Sequence, residues 1–332
     1  MADRQQPIAL GQPIVVFMRA WLLDSLSGLN ALHLGEAPDP LAEAGEVILR
    51  VKYASLNPAD RYLSEGQYPA KPSFPHILGR DGLGVVEGTG EKRLILRGPA
   101  GVTRPGTFAE KVAVCSDYLM PVPDGWTDQE AAAAALVYVT AYQSLTIWDD
   151  LPSPSTVLIT GASGGVGVAA LQLAKSLGHD VIALSRDSAK QARLRELGAS
   201  AALDPTDLNW RRAVGKRIDL AIDNIGGSQL TDVIDAMADR GRISCVGRLA
   251  GPVPQFNTAS LFFRRLKVGG VAVGAYTAEE SRRAWDEVVR LLAQTGARPL
   301  IDSVFPFTDL PQAFARLKAG PMGKVLLAVS EG

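Results

Sequence analysis

A glycine-rich segment contains the residues whose types and spacing most plainly suit chemistry. Residues 160–167 read Thr-Gly-Ala-Ser-Gly-Gly-Val-Gly, between an apolar strand pattern and a helical one. Glycine permits positive φ and lets backbone N–H groups approach an anion closely, and a helix N-terminus adds unsatisfied donors. The glycine spacing departs from the strict G-x-G-x-x-G motif, so the prediction of a nucleotide site depends largely on the flanking strand and helix. A dinucleotide pyrophosphate is predicted to bind at Gly161, Ser163, Gly164, Gly165, Val166 and Gly167.

The end of the next predicted strand indicates which dinucleotide the turn would hold. Sites for NAD usually place Asp or Glu there, against the ribose 2′-hydroxyl. Here Ser185 and Arg186 follow the strand, and Lys190 comes four residues after Arg186. Arginine forms charge-assisted hydrogen bonds with a 2′-phosphate, so these residues predict NADPH. Asp187 is the counter-evidence, and we interpret it as the N-cap of the next helix.

The elements that must position this turn follow from the wider pattern. Between residues 156 and 273, short apolar strands alternate with helical segments, which predicts a parallel sheet flanked by helices. Residues 18–125 instead show strands such as 46–53 among frequent Pro and Gly, and are predicted to be mainly β. Segments 304–307 and 324–329 return to a strand pattern. The fold class is therefore α/β, with a doubly wound parallel sheet inserted between two parts of a β-rich domain.

Composition excludes several classes of protein. The 332 residues suit about two domains, and 47% apolar with 21% charged residues excludes wholesale disorder. The net charge is −1 and no basic run exceeds a pair, so neither nucleic acid nor a membrane surface is expected as a partner. Two cysteines cannot form a disulfide framework or a four-cysteine zinc site. No signal or membrane-length apolar run is visible, and we expect a cytoplasmic protein.

Taken together and in order, several motifs resemble the medium-chain dehydrogenase/reductase superfamily, specifically its zinc-independent quinone oxidoreductase branch, which includes zeta-crystallin. The resemblance covers residues 18–330. Besides the glycine turn, it rests on residues 57–62, 66–69, 106–110, 140–142, 223–227 and 323–325.

This resemblance implies a domain organisation and an assembly. It implies a Rossmann doubly wound sheet inserted in a GroES-like β-rich catalytic domain, and a homodimer. The expected divisions are an N-terminal extension (1–17), the first part of the catalytic domain (18–137), the Rossmann NADPH-binding domain (138–276) and the second catalytic part (277–332).

The zinc-dependent relatives differ at the positions that would bind metal. They place a cysteine where this chain has Asn57, and a His-Glu pair where it has Arg80-Asp81. A catalytic zinc needs about three N, S or O protein ligands. The three histidines are scattered along the chain: His33, His76 and His179. No metal is therefore expected.

The resemblance implies hydride transfer from NADPH to a quinone or an α,β-unsaturated carbonyl, an enone or enal. It places Asn57 beside the nicotinamide and substrate, with Tyr62 and Tyr68 lining the pocket. A tyrosine hydroxyl there would donate to the oxyanion or protonate the α-carbon, and the alternative is that both rings only pack. The resemblance also implies cofactor contacts by Asn57, Thr140, Asn224, Gly247, Gly274 and Lys324.

Two other functions stay open at this point. An enoyl-thioester reductase would use the same fold and NADPH, and a basic mouth for its carrier would distinguish it. A non-enzymatic crystallin-like or RNA-binding member would need neither tyrosine. The chain also departs from the branch: the usual Gly-Asp-Arg-Val turn is missing, residues 88–105 are unusual, and Pro205 stands where some members have a phosphate-binding tyrosine.

Overall fold

The computed structural model describes residues 16–207, 209–215, 217–252 and 254–330. Most of the predicted N-terminal extension lies outside these residues. The first strand begins at Phe17, one position before the expected start of the catalytic domain. No helix among the described ranges is long and apolar enough to cross a membrane.

The N-terminal part is mainly β, as the sequence pattern predicts. Its strands are β1 (Phe17–Leu23), β2 (Leu32–Pro38), β3 (Glu46–Ser55), β4 (His76–Ile77), β5 (Asp81–Val86), β6 (Lys92–Leu96), β7 (Lys111–Cys115) and β8 (Leu119–Pro121). One helix, α1 (Pro58–Ser64), interrupts them where only turns were expected. Proline suits the first helical position because its missing N–H needs no partner there. Asn57 precedes it, and its backbone N–H donates to Asp60 Oδ2 at 2.9 Å.

The alanine-rich sequence after Thr127 predicts one helix to about residue 148, but it forms two helices, α2 (Asp128–Ala132) and α3 (Ala135–Thr146). They pack on different partners: α2 contacts β3 and β5 of the catalytic part. The longer α3 packs against α4 (Gly165–Ser176) of the following domain and α9 (Ala278–Thr295) of the C-terminal segment. The break between the two helices falls at the buried Ala133-Ala134 pair.

The central domain is a six-stranded parallel sheet flanked by helices, as predicted. Its elements are β9 (Thr156–Ile159), α4 (Gly165–Ser176), β10 (Asp180–Leu184), α5 (Ser188–Glu196), β11 (Ala201–Leu203), α6 (Trp210–Val214), β12 (Ile218–Asp223), α7 (Gln229–Ala236), β13 (Met237–Cys245), α8 (Ala259–Phe262) and β14 (Lys267–Gly270). The strand order is β11-β10-β9-β12-β13-β14. This order reverses between β9 and β12, the point where doubly wound sheets bind ligands at the carboxyl ends of their strands.

The C-terminal segment returns to the first domain. It forms α9 (Ala278–Thr295), β15 (Ile301–Pro306), α10 (Leu310–Lys318) and β16 (Lys324–Ala328). The second large sheet has the order β15-β16-β3-β5-β6-β8, with β7 also paired to β3. In it β16 runs antiparallel to β3, with Leu326 opposite Ser55. The parallel-sheet domain is therefore inserted within one β-rich domain.

Candidate active site

The glycine turn joins β9 to α4 and is shaped by close packing. Gly161 has φ +56°, and a Cβ added there would lie 2.8 Å from Ile225 Cδ1. A Cβ on Gly167 would lie 2.5 Å from Gly161 O. A Cβ on Gly164 would meet only Gly161 O, at 3.5 Å, and no side chain caps α4. The first N–H groups of α4 are thus available to an anion.

The C-terminal segment lies against this turn. Gly323 N–H donates to Ser163 O at 2.8 Å. A Cβ on Gly165 would lie 2.8 Å from Lys324 Cδ, so the aliphatic stem of Lys324 covers the start of α4. The insertion therefore brings the predicted pyrophosphate site next to the β-rich domain.

The ammonium group of Lys324 enters a buried polar cluster on the catalytic side. Its Nζ donates to Asn57 Oδ1 at 2.8 Å and to Leu56 O at 3.0 Å, and lies 3.3 Å from Asp81 Oδ2. Asn57 Nδ2 donates to Ser55 O at 3.1 Å, which fixes the plane of the amide. Burial raises the pKa of Asp81 and lowers that of Lys324, while their mutual attraction opposes both shifts.

Tyr68 lies between two arginines. The Arg80 guanidinium is 4.7 Å from the centre of the Tyr68 ring. Arg80 is itself buried and paired, with Nε 2.8 Å from Asp60 Oδ1. From the other side, Arg97 donates to Tyr68 Oη at 3.3 Å. One lone pair of this hydroxyl is therefore occupied.

Tyr62 differs from Tyr68 because its hydroxyl is unpaired. Tyr62 Oη is buried and has no hydrogen-bond partner among the residues described. The guanidinium groups of Arg61 and Arg248 lie 5.3 Å and 5.2 Å from its ring centre. Burial raises the pKa of Tyr62, so the phenol keeps its proton at neutral and moderately alkaline pH. Tyr62 is thus a protonated donor with no acceptor among the described residues.

Residues at the carboxyl edge of the parallel sheet form a rigid support. Asn224 Nδ2 donates to Thr160 O at 2.9 Å, and its N–H donates to Thr160 Oγ1 at 2.9 Å. Thr160 Oγ1 in turn donates to Asp223 at 2.7 Å. A Cβ on Gly247 would lie 2.3 Å from Asn224 O, so the two loops touch through backbone.

Two further predicted cofactor residues have other contacts. Thr140 is buried, and its hydroxyl donates to Leu136 O at 2.7 Å within α3. Gly274 lies in a 3-10 turn after β14. The guanidinium of Arg97 lies directly over it, 1.4 Å from where a Cβ would stand.

At the end of β10, the residues predicted to select the cofactor have different surroundings. Ser185 is buried and Arg186 is exposed. Asp187 caps α5 by accepting the Lys190 N–H at 3.0 Å, which confirms the interpretation of Asp187 as a cap. Lys190 Nζ donates to Gly320 O at 2.6 Å, so this side chain links α5 to the C-terminal segment.

Sequence reasoning missed three residues at the site. Asp81 was considered only as a replaced metal ligand, and its contact with Lys324 joins residues 243 positions apart. Arg97 lies in the segment 88–105 that departs from the family pattern, which was the available signal. Arg248 directly follows Gly247, and its Nη2 donates to Gln67 O at 2.5 Å across the cleft.

Two family profiles match the chain. The alcohol dehydrogenase GroES-like domain matches residues 43–124, and the profile described as zinc-binding dehydrogenase matches residues 165–294. The first match falls in the β-rich domain and the second begins at the start of α4. Together they cover both domains seen in the fold.

Relatives match over nearly the full length. The quinone oxidoreductase of Lama guanicoe is 28% identical, over 96% of this chain and 99% of its own. The quinone oxidoreductase structure from Thermus thermophilus, also solved in complex with NADPH, is 32% identical with a TM-score of 0.80, covering 94% of this chain and 100% of its own. An NAD-dependent alcohol dehydrogenase structure is 29% identical with a TM-score of 0.84, covering 94% and 100%. The chain belongs to the medium-chain dehydrogenase/reductase superfamily, with quinone oxidoreductases among its relatives.

Proposed function

We propose that the chain is a zinc-independent reductase that uses NADPH to deliver hydride to a quinone or an enone. The observation that carries the proposal is the position of Lys324. Its stem lies on the first residue of α4, and its ammonium binds Asn57. The anion-binding turn and the catalytic-side cluster therefore share one cleft, as hydride transfer between two bound molecules requires.

The residues present suit a phosphorylated dinucleotide. Gly161, Ser163 and Gly164 to Gly167 would hold the pyrophosphate at the uncapped N-terminus of α4. Arg186 is exposed at the end of β10, where it would bind the 2′-phosphate with help from Ser185 and Lys190. Asp187 supports the choice of NADPH over NADH because its carboxylate is engaged as a cap.

The remaining groups support the chemistry at the substrate. Bound NADPH would supply a hydride from its nicotinamide ring, and the protein would orient the acceptor. Asn57, held in plane by Ser55 and Lys324, would fix the position of both molecules. Hydride addition to an enone yields an enolate, and Tyr62 has the unpaired donor that could stabilise or protonate it. Tyr68 would contribute a second, arginine-bound hydroxyl.

The same cluster does not suit a catalytic zinc ion. Zinc prefers three uncharged or anionic N, S or O ligands. Around Asn57 the chain instead supplies Asp81, the ammonium of Lys324 at 2.8 Å, and Asp60, whose carboxylate is already paired with Arg80. Within the described ranges, no three His, Cys, Asp or Glu side chains group closely enough to hold a metal. The proposed reaction therefore involves no zinc.

We also propose that two copies assemble through the edge of the parallel sheet. β14 is the last strand of that sheet, and an open strand edge is a surface on which another chain can pair. Val268 on this strand is 46% exposed, and the nearby Phe262 and Phe263 are 62% and 81% exposed. Light scattering should give the mass of a dimer, and Val268→Lys should shift it to the monomer.

Steady-state assays test the reductase directly. NADPH oxidation should be measured side by side with a quinone, an enone and an enoyl-CoA, with NADH as the comparison cofactor. Turnover of the quinone or enone, faster with NADPH and undiminished after chelation, is expected. Exclusive turnover of enoyl-CoA, or a stoichiometric zinc whose removal abolishes activity, would overturn the proposal.

A further inference from the structure

Arg97 is a cation in the cleft with no acidic partner among the described residues. Its Nε is buried and has no hydrogen-bond partner within the same ranges. Its Nη2 donates to the neutral Tyr68 hydroxyl at 3.3 Å. By contrast, the neighbouring Arg80 is neutralised by Asp60 at 2.8 Å. A partly buried guanidinium with unused donors favours an anion beside it.

The backbone holds Arg97 in an uncommon conformation. Its φ is +49°, in the left-handed region that few non-glycine residues adopt. Its N–H donates to Arg80 O at 2.8 Å, which fixes the turn at the end of β6. The side chain then crosses the cleft to lie on Gly274. Strained residues of this kind persist where the surrounding structure fixes them, often at binding sites.

Arg97 also lines a cavity of about 360 Å³ between the two domains. The same cavity is lined by Gly274 and by three side chains that carry hydroxyl donors, Tyr118, Tyr276 and Ser281. No carboxylate of the described residues lines it. The nearby Glu280 is engaged as a helix cap, accepting the Thr277 N–H at 2.7 Å. The rest of the lining is mostly apolar and includes Leu96, Pro99 and Val273. The cavity thus combines an apolar wall with hydroxyl donors and one cation, and it has a size that small-molecule sites commonly have.

Ser281 places the cavity beside the N-terminal turn of α9 (Ala278–Thr295). Glu279 and Glu280 offset the partial positive charge of that helix end, so the cation that faces the cavity is the Arg97 guanidinium. Because Arg97 touches both Tyr68 and Gly274, the cavity adjoins the proposed reaction site.

We propose that this cavity binds a carboxylate carried by the substrate, so that the acceptor is an anionic enone or quinone and Arg97 selects it. The inference rests on the proposed function for the reaction, but the binding of the carboxylate can be measured without turnover. It narrows the substrate class from any activated carbonyl to acids.

A matched pair of substrates tests the proposal. Benzalacetone bearing a para-carboxylate and the same enone bearing a para-carboxamide have nearly the same shape and differ in charge. The intact protein should show higher kcat/KM for the acid. Arg97→Leu should lower kcat/KM for the acid about 10- to 150-fold, the usual range for a charged hydrogen bond. The amide should lose only what the contact between Arg97 and Tyr68 contributes, so the acid-to-amide ratio of kcat/KM should fall, and Arg97→Lys should recover part of that ratio.

Arg93→Leu is the matched control, since Arg93 lies on β6, four residues before Arg97, and pairs with Glu91 at 2.9 Å. It should change neither substrate. Thermal unfolding of each variant shows whether the fold is kept. If Arg97→Leu does not fold, the preference for the acid is tested with Arg97→Lys.

Calorimetry with the saturated ketones formed from the two enones supplies a readout independent of reduction. Selective binding of the acid, lost in Arg97→Leu, would support the site even if no reductase activity were found. Turnover of neutral enones without any preference for the acid would overturn the site while leaving the reductase intact. Binding of the acid that does not compete with the acid enone would also overturn it, because the carboxylate would then belong to a separate effector.

Discussion

Replacing Tyr62 by Phe should separate catalysis from stability. The variant keeps the ring, and with it the contacts to the Arg61 and Arg248 guanidiniums at 5.3 Å and 5.2 Å. It removes only the hydroxyl, which is buried without a partner among the described residues. A buried, unpaired polar group costs about 1–3 kcal/mol. The free energy of unfolding should therefore stay the same or rise by up to that amount.

The effect on turnover should have the opposite sign. If Tyr62 stabilises or protonates the enolate, kcat for an enone should fall by about 10²- to 10⁴-fold, with little change in NADPH affinity. Quinones should lose less, because a phenolate is a weaker base than an enolate and water can protonate it later. Stopped-flow and steady-state kinetics on both substrate types, alongside urea unfolding, give the two quantities.

Tyr138→Phe is the matched control. Tyr138 is fully buried in α3, and its hydroxyl donates to Gln172 Oε1. The variant leaves Gln172 Oε1 without this hydrogen-bond donor. The free energy of unfolding should therefore fall by about 1–3 kcal/mol, while kcat stays unchanged. The reasoning is refuted if Tyr62→Phe, Tyr68→Phe and the double variant all retain enone kcat within about twofold. The proton would then come from water.

Three further perturbations follow from the described contacts. Arg186→Ala should reduce the ratio of the NADH Kd to the NADPH Kd by about 10- to 150-fold, because a charge-assisted contact to the 2′-phosphate is lost. Equal affinities of the parent protein for NADPH and NADH would contradict the assignment. Lys324→Met leaves Asp81 buried without its cation and should lower the free energy of unfolding by about 3–5 kcal/mol; adding Asp81→Asn should recover part of it, and no recovery would contradict the pairing. Burial lowers the pKa of His76 to about 4, so the unfolded chain binds a proton that the folded chain does not as pH falls from about 6.5 to 4. The free energy of unfolding should drop by about 3 kcal/mol across that window. His76→Gln should reduce this drop, whereas His33→Gln, at an exposed site, should leave it unchanged. The same pH dependence in His76→Gln as in the parent would contradict the assignment.

Local signals in the sequence were enough to predict the glycine turn. Gly161 and Gly167 must be glycine because neighbouring backbone and Ile225 leave no room for a Cβ. This requirement appears in the sequence as glycines at a characteristic spacing. The alternation of strands and helices likewise predicted the parallel sheet, since each element shows its own period. The helix after Asn57 was not predicted because frequent proline and glycine favour a mainly β segment, although proline at position 58 suits the first turn of a helix equally well.

The contacts that assemble the site could not be predicted in the same way. Lys324 and Asp81 are brought together by the pairing of β16 with β3, and no local pattern encodes that distance. Arg97 was visible only as an irregularity in residues 88–105. Its meaning depends on Gly274, which lies in the other domain. Charge pairing across domains is a property of the folded chain and not of any segment.

The late position of β16 also has a consequence for biosynthesis. Lys324 and Leu56, which are in contact, are 268 residues apart, and such nonlocal closure slows folding. During translation the first strands leave the ribosome long before β16 exists, whereas the parallel-sheet domain can fold as a unit meanwhile. Until β16 is made, β3 keeps an open edge at Tyr53 to Ser55, the residues that β16 later covers. A nascent chain that stops before residue 324 is therefore left with an unprotected strand edge on β3, at which aggregation can start.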